Sequence, residues 1–394
     1  MIAVIADDFT GAAEIGGIGL RHGLDVTIET EPIRNHGADL LVIATDTRSM
    51  SPEDAMKLTA SIAKGALELN PSLIFKKVDS VLRGNITEEL VALMEAAGKS
   101  RAVVIAANPA FKRVVKDGIY YIDGVPLAQT CFSSDPEFPI STSSVAEILR
   151  TYECYPLYNQ KPGEALPEKG IVIGDVNSVE DLQEWAAIKD DKTLLAGASG
   201  FFNALLKNLN LQRKNNRRVV ETFGEKALFI LGSAYPKDSR FIERLSGADS
   251  YVSNMPRDIY FNRNYDPQIF NAWVDETVRA IEEHKRVFVT VAHSGGDEPN
   301  LGARLAAALG ELTKRVVETT EVHELLIEGG STTSMVLSCL GIKKLKPLQE
   351  VEPGVIRMQV EGGRSFRLTT KPGSYMWPEG VWIASDVERL NNLN

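Results

Sequence analysis

Ile2-Ala3-Val4-Ile5-Ala6-Asp7-Asp8-Phe9-Thr10-Gly11-Ala12 is the stretch on which the fold turns. Five apolar residues rich in β-branched side chains run into two acids, and small and apolar residues at helical spacing follow. That pattern predicts a buried parallel strand that turns sharply into a helix. Further short apolar runs recur at residues 25–29, 40–44, 73–78, 102–106, 170–173 and 193–196, with amphipathic stretches between them. Such alternation predicts an α/β fold built on a mainly parallel sheet with helical crossovers. The clearest crossover begins at Ser51-Pro52-Glu53-Asp54, where Ser51 caps, Pro52 suits the first helical position and the acids complement the helix dipole. Its apolar positions Ala55, Leu58, Ile62 and Ala66 keep one face.

The rhythm breaks at Arg213-Lys214-Asn215-Asn216-Arg217-Arg218, which reads as a linker between a domain of residues 1–215 and a second of residues 225–394. A new α/β series follows, with strands at 228–231, 286–291 and 324–327 and helices at 267–283 and 301–318. The tail changes character. Residues 355–360, 364–369 and 381–384 read as antiparallel strands, with Glu361-Gly362-Gly363 as a hairpin turn.

The 394 residues carry 43 basic and 53 acidic side chains, a formal charge of −10, so nucleic acid and anionic membrane are disfavoured partners. Three widely spaced cysteines make neither a disulfide framework nor a zinc site. No leader pattern or spanning apolar run is visible, and a cytoplasmic location is expected.

Chemistry concentrates where strands end. Asp7 and Asp8 follow the first strand, at the edge where open α/β sheets bind ligands. Alternation lets at most one of them face a site, as a metal ligand, a hydroxyl acceptor or a base, while the other caps the helix or holds the loop; the alternative reading is that both simply cap the helix. Lys76-Lys77-Val78-Asp79-Ser80-Val81-Leu82-Arg83-Gly84-Asn85 leaves another strand with a dense set of anion and hydroxyl ligands, or a capped turn with surface charges. Only one of the two lysines is expected to face the site. Asn108-Pro109-Ala110-Phe111 and a loop at 117–126, containing Asp123, add polar groups near the same edge. Together these favour a pocket for a small, acidic, hydroxylated ligand.

In the second half, Gly232-Ser233 and Glu328-Gly329-Gly330-Ser331-Thr332-Thr333-Ser334 each leave a strand, and the latter enters a helix, as a phosphate requires, or as an ordinary serine-rich helix start. No Walker A sequence occurs, and Gly16-Gly17-Ile18-Gly19 sits inside the first helix pattern rather than at its start. His293-Ser294 lacks the context of a hydrolase. Tyr375-Met376-Trp377 reads either as a base-stacking platform or as a hydrophobic corner.

Taken in order, these segments, with Asp123-Gly124-Val125-Pro126-Leu127, Asp135-Pro136 and Lys371-Pro372-Gly373, resemble the four-carbon acid sugar kinase family over essentially the whole chain. The resemblance implies ATP-dependent phosphorylation of the terminal hydroxyl of threonate, erythronate or a 3-oxo-tetronate, with substrate bound by the N-terminal domain and nucleotide by the C-terminal one. It implies a substrate pocket lined by Asp8, Lys77, Asp79, Arg83 and Asn85, with Asp7, Thr10, Ser80, Gly84, Asn108 and Asp123 around it. Asp8 or Asp79 would accept the hydroxyl proton, and Arg83 and Lys77 would hold the substrate carboxylate. ATP with Mg²⁺ would be held by Gly232, Ser233, Gly329, Gly330, Ser331, Thr332, Thr333 and Gly373; no metal ligand is singled out. The chain departs from the family pattern at Lys112-Arg113, at Tyr235 and at Ser374-Tyr375. A nicotinamide-dependent oxidoreductase and a non-catalytic sugar-acid sensor are the alternatives, and a homo-oligomer is left open.

Overall fold

The computed structural model describes all residues except 32–36, 136, 151, 153, 210–221, 233–248, 294–297, 299, 379–380 and 382–394. The chain divides into two compact units, Met1–Asn216 and Arg217–Asn394.

In the first unit, β1 (Ile2–Ala6), β2 (Val26–Glu29), β3 (Leu40–Ala44), β4 (Leu73–Lys77) and β5 (Arg101–Ile105) form one sheet with three later strands. Every pairing in it is parallel. The strands are buried along nearly their whole length, so apolar residues fill both faces rather than alternating. Helices α1 (Phe9–Arg21), α2 (Pro52–Glu68) and α3 (Ile86–Ala96) follow β1, β3 and β4, the first two from side-chain caps. Asp8 accepts from the Gly11 N–H, and Ser51 accepts from the Asp54 N–H ahead of Pro52. α2 packs on α3.

After β5 the chain forms a small antiparallel sheet of β6 (Arg113–Lys116), β7 (Ile119–Ile122) and β8 (Val125–Pro126). The loop expected at 117–126 is therefore two hairpins. Each turns on an Asp-Gly pair with positive φ at both residues, Asp117 and Gly118 at 48° and 75°, Asp123 and Gly124 at 51° and 79°. That is the turn whose twist suits paired strands. α4 (Val145–Leu149), β9 (Leu157–Gln160), β10 (Gly170–Gly174), α5 (Val179–Ala186), β11 (Thr193–Gly197) and α6 (Ser199–Asn208) complete the unit. The large sheet runs β2-β3-β1-β4-β11-β5-β10-β9. β9 has no run of β-branched residues, and as an edge strand half open to solvent it leaves little trace in the sequence. Chain order reverses beside β1, so the turns after β1, β3 and β4 share the crevice where such sheets bind ligands.

The second unit has β12 (Ala227–Leu231), β13 (Ser250–Asn254), β14 (Arg286–Thr290) and β15 (Glu324–Glu328) in parallel, ordered β13-β14-β12-β15. β16 (Lys344–Glu352), β17 (Val355–Val360) and β18 (Arg367–Lys371) follow. β17 is antiparallel to both β16 and β18, while β18 lies parallel to β15. The tail hairpin thus extends a parallel sheet. β16 is unanticipated because Pro347, beside a register shift, breaks its strand pattern. Of the strand expected at 381–384, Val381 is not in a strand and the rest lies outside the described residues. Phe229 stacks on Phe288 at 4.5 Å between centroids, and the Trp377 ring meets Phe229 edge-on. Trp377 is buried there as part of a hydrophobic corner, while Tyr375 is half-buried and Met376 exposed.

Candidate functional site

Three strand ends build the acid-and-base cluster of the first unit. After β1, Asp8 caps α1: its Oδ1 accepts from the Gly11 N–H at 2.9 Å, and the Thr10 hydroxyl donates to its Oδ2 at 2.6 Å. A Cβ on Gly11 would lie 2.6 Å from that Oδ1 and 3.2 Å from Lys77 Nζ, so only glycine admits both groups. Capping and facing the site are therefore not alternatives for Asp8.

The turn after β3 supplies the residue that sequence reading missed. Arg48 Nε donates to Asp7 Oδ2 at 2.7 Å, and its Nη2 lies 3.1 Å from Asp8 Oδ1 and 3.4 Å from Asp79 Oδ1. One guanidinium joins all three aspartates. Nothing in Asp46-Thr47-Arg48 marks this, since the arginine stands alone in a turn of no recognisable motif. The turn is held from both sides: the Thr45 hydroxyl donates to the Ala6 carbonyl at 2.9 Å, and Asn85 Nδ2 donates to the carbonyls of Thr47 at 3.1 Å and Met50 at 3.0 Å. Asn85, expected to line the pocket, uses its amide N–H groups to clamp this turn.

The turn after β4 is organised by Asp79. Its Oδ2 accepts from the N–H groups of Val81 and Arg83 and from Arg83 Nε, and its Oδ1 accepts from Arg83 Nη2 at 2.9 Å. Burial alone would raise the Asp79 pKa, but Arg83 and Arg48 outweigh it and hold the carboxyl well below its usual range. Asp8 shows the same balance, with Arg48 and Lys77 lowering its pKa against burial. Arg83 Nη1 donates to Asp135 Oδ2 at 2.9 Å, and the guanidinium lies 5.7 Å from the centroid of Phe132. The arginine expected to receive a substrate carboxylate thus already carries one carboxylate on each edge.

Alternation separates the two lysines as expected. Lys76 is buried against Glu89 of α3 at 2.6 Å, whereas Lys77 lies on the other face, 3.9 Å from Glu14 of α1, with its ammonium donating to the Val78 carbonyl. Burial raises the Glu89 pKa, and Lys76 opposes that shift. Beyond Asp79, the Ser80 hydroxyl accepts from Arg113 Nη1, and the Tyr120 hydroxyl donates to the Ser80 carbonyl at 2.6 Å. Asn108 pairs its backbone with Arg113. Asp123 is exposed in its turn and bound to the equally exposed Lys112, which removes it from the cluster.

A cavity of about 480 Å³ opens where β4 and β11 begin, lined by Leu73, Ile74, Leu195, Leu205 and Asp190. It lies at the edge opposite the cluster and draws on none of its residues. Among the described residues no group of three or more histidine, cysteine or acidic side chains is arranged to hold a metal.

In the second unit Gly329, at φ 98°, precedes the helix Gly330–Leu340. The N–H groups of that first turn have no intrahelical partner. Gly232 meets this turn so closely that a Cβ there would lie 2.2 Å from Thr332 Oγ1. Ser331 is exposed, while the Thr333 hydroxyl donates to the Gly329 carbonyl at 2.8 Å and meets Thr370 Oγ1 at 2.8 Å. Thr333 is therefore committed to holding the turn. Lys371 lies buried 3.1 Å from Glu328 and donates to the carbonyls of Pro372 and Tyr375, which folds the segment containing Gly373 back on β18. Burial pushes its pKa down, against the pull of Glu328. Ser233, Tyr235 and Ser294 lie outside the described residues.

Residues 2–205 match a family described as a sugar-binding N-terminal domain, and residues 228–375 one described as a nucleotide-binding C-terminal domain. The chain is 28% identical to a D-threonate kinase of Salmonella typhimurium over 89% of each chain. It is 27% identical to a D-erythronate kinase of Heliobacterium modesticaldum, covering 92% of this chain and 90% of that one. A 3-oxo-tetronate kinase of Pseudomonas fluorescens is 23% identical across 95% of this chain and 94% of its own. The fold of this chain is similar to that of a solved Haemophilus influenzae protein, 17% identical, with a TM-score of 0.70 over 98% of this chain and 99% of that one.

Proposed function

Since the chain belongs to the four-carbon acid sugar kinase family through both of its halves, we propose that Asp8 is the carboxylate that receives the substrate's terminal hydroxyl. The protein is an ATP-dependent kinase of four-carbon acid sugars. The observation that carries the assignment to Asp8 is the different occupancy of the two candidate carboxylates. Asp79 takes four hydrogen bonds from the Val81–Arg83 turn and its arginine and faces Arg48 as well, so its lone pairs are spent on structure. Asp8 holds one N–H, one hydroxyl and the edge of Arg48.

An ionised, low-pKa carboxylate is a weak base, which suits phosphoryl transfer. In a loose transition state the attacking hydroxyl needs orientation more than early proton removal. Asp8 orients the hydroxyl and takes its proton late; Arg48 and Lys77 keep the carboxylate ionised and fixed.

The first-turn N–H groups at Gly330 to Thr332, the exposed Ser331 hydroxyl and the backbone at Gly232 fit the phosphates of ATP, with Ser233 and Gly373 as further contacts. Mg²⁺ bound with the nucleotide would neutralise its phosphate oxygens. Dependence on ATP and three unpaired cysteines support a cytoplasmic location. The test is ADP release from ATP and Mg²⁺ with D- and L-threonate, D- and L-erythronate and their 3-oxo forms, the product being identified by mass. A phosphorylated four-carbon acid is expected, and no turnover on any of the acids would overturn the reading.

A further inference from the structure

We propose that Arg113 receives the carboxylate of the substrate and thereby sets the preference for acids over uncharged sugars, an inference that rests on the kinase reading above. An acid substrate needs a cation whose charge is not already matched. Arg48 is matched by three aspartates, Arg83 by Asp79 and Asp135, and Lys76 by Glu89. Lys77 faces Glu14 and spends a donor on the Val78 carbonyl, with its Nζ close to Asp8. Arg113 makes no ion pair among the described residues; its guanidinium donates to the Ser80 hydroxyl and lies near the Tyr120 hydroxyl. A guanidinium has five N–H donors, so most of its fork is open.

Its position is fixed and adjacent to the chemistry. Arg113 begins β6, and its backbone exchanges both hydrogen bonds with Asn108, the residue that leaves the β5 end. Lys112, at φ 55°, makes the turn that brings the two together. The Tyr120 hydroxyl donates to the Ser80 carbonyl and lies beside the Arg113 guanidinium, whose charge acts on it. Ser80 directly follows Asp79, so the bond from Arg113 ties its guanidinium to the turn that carries the Asp79 end of the cluster. The planar fork of arginine accepts a carboxylate through two parallel hydrogen bonds, a recognition that a polyol cannot reproduce.

The experiment compares the full-length wild type with Arg113→Ala and Arg113→Lys on the four-carbon acid that the wild type turns over best, and on the corresponding tetritol, which lacks the carboxylate. The tetritol is read by turnover or, if too slow, by its competitive inhibition constant, and the KM for ATP serves as the control. Arg113→Ala is expected to raise the KM for the acid about 100-fold while moving the tetritol and ATP constants less than about 3-fold. Arg113→Lys should recover part of that loss, since the charge returns without the fork. Equal losses on acid and tetritol, or an unchanged KM for the acid, would overturn the proposal. If Arg113→Ala fails to fold, Arg113→Lys alone decides by the same comparison. Absence of turnover on every acid in the wild type would instead overturn the substrate reading, and that is seen before any variant is made.

Discussion

Asp79 and Asp8 sit within reach of the same guanidinium, yet substitution should separate them. Asp79→Asn leaves Arg83 and Arg48 facing an uncharged amide in a buried site, where breaking one side of an ion pair costs about 3 kcal/mol or more. The native Asp79 pKa is depressed, so its stabilising contribution is complete above the unfolded carboxylate range and vanishes as pH falls through the lowered value. The difference in thermal stability between wild type and Asp79→Asn should thus hold constant from pH 7 to about 5 and shrink below about pH 4, as denaturation against pH will show. Arg48→Met removes the cation that all three aspartates share. The Asp8 and Asp79 pKa values then rise, so the acid limb of kcat/KM moves upward in pH, and the plateau for the sugar acid should fall roughly 100-fold. Both effects come from one pH profile. Asp7, Asp8, Asp79 and Arg83 were legible in the sequence because they flank strand ends in dense polar runs. Arg48 was not, because its role arises only when parallel pairing places the β3 turn beside β1 and β4.

At the scale of elements, the turn carrying Arg48 depends on a side chain 37 positions away. Asn85 leads into α3 and makes no cap bond of its own; its amide instead holds the Thr47 and Met50 carbonyls. Asn85→Ala should leave the helix intact, cost about 1 to 3 kcal/mol through the carbonyls it abandons, and lower kcat for the acid with little change in the KM for ATP. Chemical denaturation and steady-state kinetics on the same preparation test this. An unchanged kcat would mean that the turn keeps its shape without the clamp. Parallel strands and their crossovers were readable from apolar runs and caps such as Ser51-Pro52, since local chemistry dictates both. The β6 to β8 hairpins carried the Asp-Gly signal twice, but so short a sheet has few apolar residues to advertise it. β16 was hidden for the opposite reason, because a long strand with a proline reads as a break.

The two halves of the chain match families described as sugar-binding and nucleotide-binding, and ligand-induced stabilisation should report them separately. A ligand that binds only the folded state stabilises it by about 2.7 kcal/mol at a hundredfold excess over its Kd. Arg48→Met should remove the stabilisation given by the sugar acid and keep that given by ATP. Lys371→Met should do the reverse, because the buried Lys371 holds Glu328 and the Pro372 and Tyr375 carbonyls beside the Gly329 turn, far along the chain from the Asp8, Arg48 and Asp79 cluster. Thermal shifts of the two variants with acid alone and with ATP alone make a four-way comparison. If Lys371→Met lost both shifts, Lys371 would support the fold at large rather than the nucleotide turn. If it lost neither, the Lys371–Glu328 pair would be dispensable to ATP binding, and the N–H groups after Gly329 would suffice to hold the phosphates.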